Sequence, residues 1–306
     1  MVVRELVAGQ DIEQVLLVRD CEAGPEGAVR LTLGDRTGVI VATVREAPEE
    51  LLAPGAPLVV SGRFHGAELE IDSLRLAEPG EYELDDLLDG PPRPLESMEQ
   101  SLRDLVAQVQ SPPLRTLLDR VLGPDAPTWP AYRDAPAAKR YHQAYRHGLL
   151  EHSLSVGEAV AVISTTFPGI DRDVAITGAL LHDIGKLDAY TSDPEAIDLT
   201  DLGKLHGEIA LGYFRIRVEI EEIPGFPPEL AAAVLHIILS HHGQLEHGSP
   251  VLPCTREATL VHMIDNLGGR LGSFDRLEKA LPHGSAWSAY DRVLGGGAYF
   301  AARQAA

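Results

Sequence analysis

Cysteine is nearly absent: Cys21 and Cys254 are the two in 306 residues. That argues against a disulfide framework and leaves too few thiols for a cysteine metal site. No apolar run approaches the length of a membrane span. The first residues, with Arg4, Glu5 and Gln10 close together, lack the apolar core of a signal peptide. These absences predict a cytoplasmic chain with no membrane partner. Aromatic residues make up only 5%, and between Met1 and Ala77 Phe64 is the single one. Positive charge is short as well, with 26 Lys+Arg against 46 Asp+Glu and a formal net charge of -20. Such a chain does not coat nucleic acid through a broad basic face. A narrow site in which bound cations reverse the local sign stays open.

The length gives room for two domains, each able to bury a core. The first 78 residues alternate short β-rich runs with turn signals. Candidate strands are Val15 to Val18, Val29 to Leu33, Val39 to Val44, Leu58 to Ser61 and Leu69 to Leu76. Gly34 to Gly38 forms a tight turn, and Glu46 to Leu52 suits one short helical segment. Five strands with an insertion after the third fit a small Greek-key barrel of the OB type. An SH3-like barrel fits the pattern nearly as well. An OB barrel invites a nucleic-acid role through aromatic stacking, yet here seven Lys+Arg face nineteen Asp+Glu up to Gly90. Arg30, Arg36, Arg45, Arg63 and Arg75 are the residues able to gather on one face. Arg36 and Arg63 are the substrate-binding candidates among them. A strand-guiding module and a packing or oligomerisation module remain equal alternatives for this domain.

Pro79 to Pro94 is an acidic, proline-rich linker. Leu95 to Leu122 shows helical spacing in two blocks divided by Pro112 and Pro113, and Pro124 to Pro136 reads as irregular. From Ala137 onward the pattern is helical. The expected fold class is multi-domain α+β. It comprises a five-stranded OB-like barrel at 1–78, a connector at 79–136, an all-α domain at 137–295 and a tail at 296–306.

Eleven of the twelve histidines fall between His142 and His283. Among them His182 and Asp183 sit inside the apolar run Val174 to Ile184, which predicts a buried helix ending near Gly185. Two buried ionisable side chains cost several kcal/mol each, roughly, unless paired or coordinated. A metal ion removes that cost, since imidazole and carboxylate are both good ligands. A core histidine hydrogen-bonded to its neighbour would remove it too. Ligand-type residues recur at His152, His206, the pair His241-His242, and Asp265. The order H…HD…H…HH…D resembles the HD-domain superfamily of metal-dependent phosphohydrolases.

That resemblance implies two divalent ions bridged by Asp183. One would be held by His152, His182, Asp183 and Asp265, the other by Asp183 with His206, His241 and His242. Paired cations activate a shared water and clamp the oxygens of a phosphoester. A nitrogen-rich set suits Mn, Co, Fe, Ni or Zn better than Mg, with Mn first. Lys186 either steadies a phosphate oxygen or is a plain helix C-terminal cation. Five-residue spacing turns His142, His147 and His152 about 140° apart, so they cannot share one ion. His152 is the ligand, His142 reaches the substrate phosphate, and His147 lies on the surface. His262 is a supporting residue near Asp265, and His236, His247 and His283 have no assigned role.

A closer likeness joins these parts. The barrel, the connector, His142-Gln143-Ala144-Tyr145 before Gly148 to His152, and Gly248-Ser249-Pro250 through Asp265-Asn266-Leu267 resemble the YhaM-type 3′–5′ exoribonucleases. The likeness covers roughly residues 10 to 275. It implies removal of 5′-mononucleotides from the 3′ end of single-stranded RNA, or DNA, by attack of metal-bound hydroxide. It also implies assembly into dimers or rings. Three positions depart from the family pattern. The family places its third histidine two residues after His206, where Glu208 stands as an alternative oxygen ligand. Gly268-Gly269 replace an expected acid, and the barrel lacks an aromatic near Val44-Arg45. Two other functions stay open: a phosphohydrolase of a small nucleotide, favoured by the acidic barrel, and a non-catalytic nucleic-acid-binding or scaffold protein.

Overall fold

The computed structural model describes residues 2–23, 28–45, 48, 51–66, 68–139, 143–191, 197–281 and 285–300. The N-terminal strands are β1 (Gln10–Ala23), β2 (Val29–Gly34), β3 (Val39–Val44), β4 (Pro57–Phe64) and β5 (Glu68–Leu76). They close into a barrel in the order β1-β2-β3-β5-β4. Every pairing is antiparallel except β3 with β5, where Val41 lies opposite Glu68. Closure through that parallel pair makes the barrel OB-like.

Alternation sends Leu16, Leu31, Leu33, Leu58 and Val60 inward, where none has any exposed area. Each predicted strand lies within an observed one, but β1 runs well beyond Val15 to Val18 at both ends. A bulge between Val18 and Asp20 lets it pair with β2 along one part and β4 along another. Phe64 is buried in this core, so the barrel shows no exposed aromatic among the described residues. The segment Glu46 to Leu52 falls mostly outside them.

After α1 (Leu84–Leu87) come α2 (Leu95–Ala107), α3 (Pro112–Leu122) and α4 (Trp129–Asp134). Proline opens α3, where its missing N–H costs nothing. The segment expected to be irregular thus contains α4. It is a six-residue helix with Pro130 in its first turn, too short to leave a periodic signal, and it buries Trp129 and Tyr132. Next follow α5 (Gly148–Ile163), α6 (Arg172–Leu181), α7 (Lys186–Ala189), α8 (Asp201–His206), α9 (Glu208–Glu221), α10 (Pro228–Ser240) and α11 (Arg256–Lys279).

Chain contacts divide the molecule into two compact units, residues 1–90 with 273–306, and residues 91–272. Within the second, Leu102 and Leu105 of α2 and Leu117 and Leu118 of α3 share one core with Leu150, Leu180 and Ile237 of the central helices. The helices before Ala137 therefore brace the same helices that carry the ligand-type residues. No described helix is long and apolar enough to cross a membrane.

Candidate metal centre

The ends of α6 and α10 carry His182, Asp183, His241 and His242, while His152 lies within α5 and Asp265 within α11. Asp171 caps α6, accepting from the backbone N–H groups of Asp173 and Val174 at 3.1 Å each. The buried helix then runs to Leu181, and its last carbonyls have no partner within the helix. Tyr132 donates its hydroxyl to Leu180 O at 2.8 Å, and His182 donates Nδ1–H to Ala179 O at 2.7 Å. The end of α10 repeats the device, with His241 Nδ1–H on Ile238 O at 2.8 Å. His242 donates Nδ1–H to His247 O at 2.8 Å, and His152 on α5 donates to Gln143 Oε1 at 3.1 Å. Each ring therefore has its Nδ1–H committed to an oxygen, which leaves the lone pair on Nε2.

Three of those Nε2 atoms converge on two carboxylates. His152 Nε2 is 3.3 Å from Asp183 Oδ2 and 3.1 Å from Asp265 Oδ1. His182 Nε2 stands 3.3 Å from Asp183 Oδ2, and His241 Nε2 is 3.4 Å from Asp183 Oδ1. His152, His182, His241 and His242 form a row with successive ring centroids 5.1, 4.9 and 4.4 Å apart. Exposure of His152, His182, Asp183 and His241 is 2% or less. Lys186 Nζ contacts Asp183 Oδ2 at 2.6 Å. It opens the four-residue α7, directly after the turn that carries Asp183.

Two close backbone approaches set this geometry. A side chain on Gly185 would strike Glu208 O at 1.9 Å and Gly212 N at 2.4 Å, so α9 lies directly on the HD turn. At Gly148 an added carbon would meet Gln143 O at 2.0 Å. That tight passage seats Gln143 over His152, a supporting contact with no sequence signal beyond Gly148 itself.

The helix does begin anew between His206 and Glu208. Gly207, at φ 73°, separates α8 from α9. His206 ends α8 exposed to solvent, and no contact joins it to the cluster among the described residues. Glu208 opens α9 with Oε1 3.6 Å from His242 Nε2.

Burial alone would lower the His152 pKa and raise those of the carboxyls. Contacts with Asp183 and Asp265 instead carry His152 up to about 9. Lys186 and the nearby histidines hold Asp183 well below the carboxylate range, and His152 does so for Asp265. His242 is pushed down by burial and by His241.

A divalent ion fits this donor set. His152, His182 and Asp183 offer ligand atoms within 4.8 Å of one another. Asp183 Oδ1 and His241 Nε2 are buried with no hydrogen-bond partner among the described residues, although they face each other at 3.4 Å. The two lone pairs on His152 Nε2 and His182 Nε2, 3.1 Å apart, repel unless a cation intervenes. In the metal-free chain a proton on His152 takes that part.

The remaining candidates lie elsewhere. His142 falls outside the described residues. His147 is half-buried rather than on the surface, standing at the residue before α5 with Nδ1–H on Arg133 O at 2.8 Å. His262 braces the end of α10 through His241 O at 2.8 Å. On the barrel, Arg63 lies between Asp11 and Glu70 in register and pairs with Asp11 at 2.9 Å. Arg75 is taken by Glu81 at 2.6 Å, and Arg36 sits in the β2–β3 turn.

The HD domain family model matches residues 149–269, a span that begins on the helix of His152 and ends just past Asp265. The 3′-5′ exoribonuclease YhaM of Geobacillus sp. (strain WCH70) is 30% identical over 287 residues, covering 90% of this chain and 87% of that protein. YhaM of Bacillus subtilis (strain 168) is 28% identical, covering 90% of each. Likeness over that span takes in the barrel as well as the helical half, and the buried cluster of His152, His182 and Asp183 is compatible with a divalent ion. The chain belongs to the YhaM 3′–5′ exoribonuclease family and is an HD-domain hydrolase, a metal-dependent nuclease.

Proposed function

We propose that this protein shortens single-stranded RNA from the 3′ end, releasing 5′-mononucleotides, with two divalent ions, Mn foremost. His152, His182, Asp183 and Asp265 would hold the first. Asp183 would bridge to the second, held by His241, His242 and Glu208, with Glu208 taking the role first expected of His206. The supporting observation is the commitment of four Nδ1–H groups to oxygens, which leaves three Nε2 lone pairs beside Asp183 and Asp265 and the fourth beside Glu208. When bound, such ions polarise a phosphoryl oxygen and make a coordinated water a nucleophile at neutral pH.

The chain's own groups do the rest. Asp183 anchors the ammonium of Lys186, a residue that lines a cavity of about 430 Å³. Tyr190, Arg146, Leu187 and Pro136 also line it. That volume suits one nucleotide unit, at the lower end of ordinary ligand pockets. In this reading Lys186 would contact the scissile phosphate, and the Tyr190 ring would cover the terminal nucleoside. His182 and His241, tied to carbonyls of their own helices, keep their lone pairs aimed without rearrangement. The two free cysteines suit work in the cytoplasm.

The test is a time course on 5′-labelled RNA with Mn or with EDTA. A Mn-dependent ladder that shortens from the 3′ end is expected, and Asp183→Ala should abolish it without unfolding the protein. An intact strand alongside rapid phosphate release from mononucleotides would instead establish the small-nucleotide phosphohydrolase that the acidic barrel favours.

A further inference from the structure

Where the barrel exposes no aromatic ring, the end of the chain exposes several. Residues 285–300 fold as a narrow hairpin held by two isolated bridges, Trp287 with Tyr299 and Asp291 with Gly296. Ser288 N–H donates to Ala298 O at 2.9 Å, and Phe300 N–H donates to Ala286 O at 2.8 Å. Asp291 is buried, accepts from Leu294 N–H at 3.0 Å and pairs with Arg276 of α11, so the hairpin is anchored at its turn. On it Trp287 is 61% exposed, Tyr299 57% and Tyr290 72%. The rings of Trp287 and Tyr299 lie side by side, with centroids 5.0 Å apart and planes tilted by 52°. The other tryptophan, Trp129, is buried. Arg292 is exposed on the same turn and has no ionic or hydrogen-bond partner among the described residues.

Rings of this size ordinarily stabilise a fold by being buried, and an anchored hairpin that holds three in solvent calls for an occupant. We propose that the hairpin is a stacking platform for the bases of single-stranded RNA, with Arg292 meeting a backbone phosphate. Stacking tolerates any sequence because every base has a π face. It also works without a broad basic surface, which a chain of net charge -20 does not have. Barrel arginines, by contrast, lie among carboxylates: Arg30 opposite Glu22, Arg63 on Asp11, Arg75 on Glu81. Rings plus one unpartnered guanidinium match an RNA strand in both chemistry and charge. The proposal rests on the RNA substrate reading above, and its test separates the two.

The test uses the full chain in EDTA with a labelled oligouridylate, and then Mn-supported turnover. Wild-type protein should show quenching of Trp287 fluorescence on binding. Trp287→Leu/Tyr299→Leu should weaken binding about tenfold or more, while Trp287→Phe/Tyr299→Phe keeps most of it. KM for the oligomer should rise at unchanged kcat, and hydrolysis of bis(p-nitrophenyl) phosphate should be untouched, which also reports an intact fold. Arg292→Ala should lower the salt slope by about 0.7. Equal RNA affinity in the double leucine variant overturns the platform. So does a drop in oligomeric state at unchanged RNA affinity, which would make the face a contact between copies. If wild-type protein hydrolyses the ester but neither binds nor shortens the oligomer, the RNA reading falls and takes the platform with it.

Discussion

Substituting Glu208 by Gln tests the least expected of the ligands proposed for the metal site. Glu208 opens α9 with its carboxylate 3.6 Å from His242 Nε2 and its side chain 23% exposed. Gln keeps the length and one oxygen but removes the charge. At about 4 Å, unit charges interact with about 4 kcal/mol at an effective dielectric of 20, and a divalent ion doubles this. Desolvation of the carboxylate offsets most of that gain. The net loss expected is about 1.4–2.8 kcal/mol, or roughly 10- to 100-fold in affinity for the more weakly held ion. His206, exposed at the end of α8, should be replaceable by Ala with less than about a twofold effect. Chelator competition with Mn or Zn, run on wild type, Glu208→Gln and His206→Ala, measures both. Loss of affinity in His206→Ala with none in Glu208→Gln would refute the assignment and show that α8 closes over the site.

Other expected outcomes follow from the same geometry. Lys186→Met removes the 2.6 Å partner of a buried carboxylate. It should destabilise metal-free protein by about 3 kcal/mol and Mn-loaded protein by much less, so melting curves with EDTA and with Mn should diverge; parallel losses would count against a cation beside Asp183. Because contacts raise His152 to about 9, an ion must displace its proton below that pH. Metal affinity should therefore climb with pH up to about 9 and then level, with proton release on binding measurable in weak buffer. In the metal-free fold the protonated His152 stabilises fully below its unfolded pKa, and this contribution fades as pH rises from about 6.5 to about 9. Gly185→Ala would drive a methyl into Glu208 O. It should cost about 2 kcal/mol or more of stability, measured by urea unfolding, and weaken metal binding with it.

Much of the architecture was legible from the chain alone. Five alternating runs gave the barrel strands, since side chains at every second position must enter one core. The parallel β3–β5 closure could not be read, because it joins residues whose proximity no local pattern records. α4 was missed because six residues with an early proline carry no periodicity. For the site, the order of ligand-type residues along the chain singled out His152, His182, Asp183, His241, His242 and Asp265, which the fold brings close together. The orientation of their rings was not legible, because it depends on open carbonyls such as Ala179 O and Ile238 O that exist only once the helices end. The choice between His206 and Glu208 turned on one glycine: a continuous helix would face them apart, whereas a break at Gly207 brings Glu208 alone toward His242.

The ligand residues lie far apart in the chain, with more than a hundred residues between His152 and Asp265. An ion held by both, as proposed, would close that length into a loop, as a covalent cross-link would. In the unfolded chain a cross-link over about a hundred residues removes conformational freedom worth on the order of 4–5 kcal/mol. A coordinate bond exists only in the folded state, so it acts through binding instead, by RT ln(1 + [M]/Kd). For a protein with two cysteines and no disulfide, metal supply would thereby set resistance to unfolding as well as turnover. Starvation for the ion would silence the nuclease and, at the same time, loosen it for degradation.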